Sequence, residues 1–122
     1  MSAPYDDNNI FAKVLRGEIP CKKVYEDDHT LAFEDIHPQA PVHTLVIPKG
    51  KYVSLRDFAA TGSDAELAAF VRAIGKVAAL KELEGQGFRI IANTGVDGGQ
   101  EVPHLHVHVF GGRRLGRMLA QN

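Results

Sequence analysis

The segment His104-Leu105-His106-Val107-His108 places three imidazoles at alternate positions. Successive side chains on a β-strand point to opposite faces, so the three rings are expected on one wall and Leu105, Val107 and Val109 in the core. Imidazole can attack phosphorus, donate a hydrogen bond and move protons near neutral pH, and a strand fixes the spacing of several such rings. Phosphoryl chemistry is the first reading. Two others fit the same spacing. Histidines at i and i+2 on one strand, completed by a ligand from elsewhere, make a workable zinc site, although no Cys or carboxylate stands beside the run. An amphipathic edge carrying three unrelated histidines is the plainest reading, and the gathering of half the chain's six histidines into five residues counts against it.

The turn before this run, Asn93-Thr94-Gly95-Val96-Asp97-Gly98-Gly99-Gln100, offers glycines where backbone N–H groups could come close to a phosphate, with Asn93 and Gln100 as amide partners. Alone it reads as a flexible connection. Directly upstream of the histidines it favours an anion.

Stepping along the chain gives the elements that must hold these groups. Asn8 or Asn9 can cap a short helix bearing Ile10, Phe11, Val14 and Leu15, ended by Gly17 and Pro20. Two β-like runs between Lys22 and Ile36 flank Asp27-Asp28-His29, a hairpin signal, and His43 to Pro48 reads as a third strand. Ser63-Asp64-Ala65-Glu66 is a capping box opening a long helix with Leu67, Phe70, Val71, Ile74, Val77 and Ala78 on its apolar face. Phe88 to Asn93 is a fourth strand and the histidine run a fifth. Strands at both ends with the long helix between them predict an α+β fold, an antiparallel five-stranded sheet with one long and one short helix.

The chain of 122 residues fits one domain, residues 1–122, with 1–8 as a flexible N-terminal tail. A domain of this size offers a shallow pocket, or one walled partly by a second copy, so a homodimer is expected. The net charge of −1, without a basic stripe, argues against nucleic acid as a partner. A lone Cys21, no apolar stretch of membrane-spanning length and no signal-peptide pattern predict a soluble cytoplasmic protein.

The run His104-Leu-His106-Val-His108-Val-Phe110 resembles the His-φ-His-φ-His-φ-φ signature of the histidine triad superfamily. Residues 9–20, 33–48 and 98–104 are similar to its Hint branch, the purine nucleoside phosphoramidases. The resemblance implies a dimer with joined sheets and a nucleotide pocket in each subunit, with no metal or other cofactor. It implies cleavage of adenosine or guanosine phosphoramidates, and of aminoacyl-adenylate-like anhydrides, to AMP or GMP.

Carried onto this chain, the resemblance makes His106 the nucleophile that forms a nucleotidyl-histidine. His108 then holds the α-phosphate oxygens and helps with the leaving group's proton, while His104 and His43 orient the nucleophile. Asp35 takes the ribose hydroxyls; Ile10, Phe11, Val14, Phe33 and Ile36 form the base slot; Asn93, Gly99, Gln100 and Glu101 lie on the phosphate side. Glu101 stands where animal members often carry Ser, and the tail at 115–122 is expected near the active site, partly from the other subunit. The alternative function is a nucleotide- or partner-binding protein in which hydrolysis is incidental.

Overall fold

The computed structural model describes residues 4–119. Five strands, β1 (Lys23–Glu26), β2 (Thr30–Glu34), β3 (Val42–Pro48), β4 (Arg89–Ala92) and β5 (Val107–Gly111), form one antiparallel sheet in the order β1-β2-β3-β5-β4. Helices α1 (Ile10–Leu15), α2 (Leu55–Thr61), α3 (Asp64–Leu80) and the single turn α4 (Gly95–Gly98) complete the α+β fold.

The alternation of strand side chains divides the interior in two. Ala32 and Val46 join Phe70, Ala73 and Val77 of α3 on one face, while their neighbours Leu31, Phe33, Leu45 and Ile47 pack with Phe11 of α1 on the other. In β5, Val107 and Val109 enter the α3 core, which leaves the intervening histidine on the α1 face. The helix starts follow their sequence signals: Asn9 accepts from the Ala12 N–H at α1, and Ser63 and Glu66 cap α3 reciprocally.

Four details depart from the sequence reading. Val71 is exposed, so the buried stripe of α3 is narrower than its apolar pattern. Helix α2 fills a stretch without helical periodicity because it sends a single residue, Phe58, into the core. The Gly-rich turn is closed as helix α4, in which the N–H groups of Gly99 and Gln100 bond the carbonyls of Val96 and Gly95; Gly99 ends it with φ of 73°, a conformation suited to glycine. Finally, β5 begins at Val107, so His104, Leu105 and His106 precede the ladder on a segment that leaves a bend at 102–104 and that the Leu105 N–H ties to the Tyr52 carbonyl at 2.8 Å. Leu105 still enters the α3 core.

Candidate active site

The pairing of β3 with β5 sets Leu45 opposite His108 and His43 opposite Phe110, which brings a fourth histidine to the triad. All four rings are held by hydrogen bonds that fix which nitrogen carries the proton. His106 Nδ1 lies 2.8 Å from the His104 carbonyl oxygen. A carbonyl only accepts, so Nδ1 carries the hydrogen and Nε2 keeps its lone pair. His104 Nε2 donates in the same way to the Pro48 carbonyl at 2.8 Å, and its Nδ1 therefore accepts from the Tyr5 hydroxyl at 2.6 Å.

The second pair follows by the same logic. The Gln39 N–H donates to His43 Nδ1 at 3.1 Å, so the proton of a neutral His43 sits on Nε2. From there it points to His108 Nδ1 at 2.9 Å and to Asp35 Oδ2 at 3.3 Å. His108 accepts at Nδ1 and must carry its own hydrogen on Nε2. One ring of the triad thus offers a lone pair and its neighbour offers a donor, with centroids 5.0 Å apart.

Burial keeps these rings neutral. Desolvation pushes His104 and His108 down to about 4, with the charges of His106 and His43 adding to the effect at His108, and it lowers His106 and His43 as well. Asp35 opposes the shift at His43 and His106. A neutral imidazole is the form that can act as a nucleophile.

Two of the rings, His106 and His108, open on a cavity of about 220 Å³, whereas His104, expected on the same wall, and His43 are buried behind it. His106, His108, Asp35, Asn93, Gly99 and Glu101 line it, as the sequence led us to expect, together with Phe11, whose ring meets His106 edge-on at 4.9 Å. The other apolar residues named for the base slot do not line it. Phe33 lies beneath Phe11 at 5.6 Å in the core, and Val14 packs on that core and faces a separate cleft beside Pro20 and Cys21. Ile10 and Ile36 are 43% and 79% exposed, because one ends toward solvent on α1 and the other follows β2 out of the sheet. Gln100 is also displaced from its expected role. Its Nε2 donates to the carbonyls of Val53 and Val102 and its Oε1 accepts the Gly95 N–H, so the side chain staples the turn.

The orienting roles change as well. His104 bonds His106 Nδ1 through its main-chain carbonyl and not through its ring, and His43 bonds His108 instead of His106. Gln39, Leu45 and Val102 complete the cavity wall without having been singled out from sequence. Leu45 was detectable only through the strand register that sets it against His108. A broader cleft of about 650 Å³ adjoins, sharing Gln39, Asn93 and His108 and bounded by Ile90, Met118 and Leu119. The tail was expected near the site; Met118 and Leu119 bound the adjoining cleft without lining the cavity itself, and 120–122 fall outside the described residues.

Asp35, His43 and His108 also bring three potential ligand atoms within 4.8 Å of one another, the one group among the described residues with metal-site spacing. The hydrogen bonds argue against a cation there. A metal on His43 Nε2 would displace the proton while Nδ1 is still needed to accept the Gln39 N–H, leaving His43 an imidazolate.

The HIT domain model matches residues 16–115. A HIT-like protein of Azospirillum brasilense is 58% identical over 99% of both chains. The purine nucleoside phosphoramidase of Escherichia coli K12 is 44% identical over 93% of this chain and 95% of its own. A histidine triad protein from Clostridium difficile superposes with a TM-score of 0.82 at 44% identity, covering 95% of this chain and all of that one. A HIT family hydrolase from Legionella pneumophila gives 0.79 at 40% identity, over 89% and 96% of the two chains.

Proposed function

Because the chain belongs to the HIT domain family, we propose that it is a purine nucleoside phosphoramidase that hydrolyses nucleoside 5′-phosphoramidates to AMP or GMP. The observation that carries this reading is the His106 Nδ1 hydrogen bond to the His104 carbonyl, which leaves a neutral lone-pair nitrogen on a ring lining the cavity.

In the first step His106 Nε2 bonds to the α-phosphorus, and the phosphorus–nitrogen bond of the substrate breaks. Its electron pair, and a proton from solvent, go to the departing amine. His108 Nε2–H is oriented by His43 to hold a non-bridging phosphoryl oxygen beside that group. Water then attacks phosphorus, His106 Nε2 departs, and the water proton returns to solvent. The covalent intermediate divides one displacement into two easier ones. Phe11 presents an aromatic wall to the purine, and Asp35, whose Oδ1 is braced by the His37 N–H at 2.8 Å, offers carboxylate oxygen to the ribose hydroxyls. Aminoacyl-adenylate-like anhydrides present the same phosphorus to the same ring.

A cavity of 220 Å³ falls below the common range of roughly 300 to 1,000 Å³ for ligand pockets. The adjoining cleft and the open edge of β4, with Ile90 half-exposed, support a homodimer in which a second copy extends the sheet and deepens the site. No helix among the described residues is long and apolar enough to cross a membrane, and Cys21 is free, which suits a cytoplasmic setting.

The deciding experiment is hydrolysis of a fluorogenic adenosine phosphoramidate by metal-stripped protein, with mass spectrometry for a nucleotidyl adduct during turnover. Hydrolysis with an adduct on His106 is expected. A metal-stripped protein that binds AMP but does not turn over supports a binding role instead.

A further inference from the structure

We propose that Tyr5 is a positioning residue for the nucleophile, acting through the buried ring of His104. It lies in the stretch expected from sequence to be a flexible tail and outside the residues matched by the family model. The Tyr5 hydroxyl donates to His104 Nδ1 at 2.6 Å, and its ring meets the His104 ring edge-on with centroids 5.6 Å apart.

His104 is fully buried and is gripped at both nitrogens, by Tyr5 on Nδ1 and by the Pro48 carbonyl on Nε2. These two contacts admit one neutral tautomer. With the hydroxyl removed, Nδ1 is a buried acceptor without its donor, and relief by moving the proton to Nδ1 would set the Nε2 lone pair against the Pro48 carbonyl oxygen. Either outcome shifts His104, whose own carbonyl holds His106 Nδ1–H at 2.8 Å. The tyrosine thereby sets the aim of the nucleophile from two hydrogen bonds away.

The segment that carries Tyr5 is built to stay. The Asp6 carbonyl accepts from the Asn9 N–H and from Asn9 Nδ2, the Asn8 N–H bonds Asp6 Oδ1, and Arg16 bonds the Asp7 carbonyl. Lys51 pairs with Asp7 at 2.8 Å and lies over the Tyr5 ring at 6.0 Å from its centroid. Asn9 is also the cap of α1, so the helix that brings Phe11 to the cavity and the turn that presents Tyr5 are set by one residue.

The kinetic arm of the test rests on the hydrolase reading; the spectroscopic arm does not. Long-range ¹H–¹⁵N correlation on the wild-type protein is expected to show His104 protonated on Nε2, with a hydrogen-bonded Nδ1. In Tyr5→Phe, which keeps the ring, the Nδ1 resonance should move to that of an unbonded acceptor or of a mixed tautomer. With adenosine 5′-phosphoramidate as substrate, kcat should fall about ten-fold with KM changed less than about two-fold. A wild-type His104 protonated on Nδ1, an unchanged Nδ1 resonance in Tyr5→Phe, or an unchanged kcat each overturns the proposal, whatever happens to thermal stability. If wild-type protein does not hydrolyse the substrate, the hydrolase reading fails and the spectra alone decide the role of Tyr5.

Discussion

His43 Nε2 sits 2.9 Å from His108 Nδ1, and because the Gln39 N–H occupies the other nitrogen of His43, the proton between the two rings belongs to His43. The donor that His108 turns toward the cavity is thus set by a residue 65 positions away in the chain. His43→Phe, which keeps the ring's bulk, is expected to lower kcat about ten- to a hundred-fold by leaving His108 Nδ1 unpaired. Steady-state kinetics at saturating substrate decide it, and an unaltered kcat would remove His43 from the relay.

His106→Asn should reduce turnover by a factor of roughly a thousand or more while leaving AMP affinity within a few-fold of wild type. On the proposed reading AMP is held elsewhere on the wall, where Phe11, Asp35 and Asn93 line the cavity. Calorimetric titration with AMP beside the hydrolysis assay separates the two effects. Near-normal turnover would rule out this ring as the nucleophile.

Chelation should leave activity unchanged. The atoms of Asp35, His43 and His108 that have metal-site spacing are engaged with one shared proton. Hydrolysis measured before and after dialysis against a strong chelator tests this, and recovery of lost activity by zinc alone would show that the cluster coordinates a cation.

Acid should weaken the fold. His104 and His108 are held near 4, against an ordinary value of 6.5, and His106 is also lowered. Below about 6.5 the unfolded chain takes up protons that the native chain refuses, so stability is complete above that pH and is lost as pH falls toward 4, by about 1.4 kcal/mol per pH unit for each of His104 and His108, with His106 acting in the same direction. Urea unfolding at pH 7.5, 6 and 5 gives the slope. A midpoint constant across this range would mean that the histidines titrate normally.

Phe58→Ala is expected to cost about 3 to 5 kcal/mol, at the upper end for one small helix, because Phe58 is 1% exposed and is the buried residue of α2. Its ring contacts Tyr52 at 4.8 Å and Phe70 at 5.2 Å. Thermal melts of the variant measure the loss, and a change below 1 kcal/mol would show that α2 contributes little to the core.

How much was legible beforehand depended on whether the signal was local. The caps at Asn9 and Ser63 lie beside the helices they start, which formed where expected, and Leu105, Val107 and Val109 enter the core as their alternation predicts although β5 begins only at Val107. Phe58 anchors a helix alone, so α2 left no periodic trace. Within the site, the three histidines of the run and Asn93 were recognisable by chemistry and His43 and Asp35 only through the family resemblance, whereas Leu45 and Gln39 depend on how β3 pairs and how its approach folds. Gln100 showed the reverse failure: an amide beside glycines suggested a ligand contact, and the backbone took every one of its bonds.

The segment 104–106 lies outside the β-ladder, and its attachments run to three places: the Leu105 N–H to Tyr52 between β3 and α2, and the His104 ring to Pro48 at the end of β3 and to Tyr5 before α1. Opening at Tyr52 and Tyr5 would loosen the segment that carries His106 while the strands stay paired. Heat or denaturant should therefore extinguish catalysis before the sheet melts, with the Leu105 amide exchanging its hydrogen through a cheaper opening than the amides of β3.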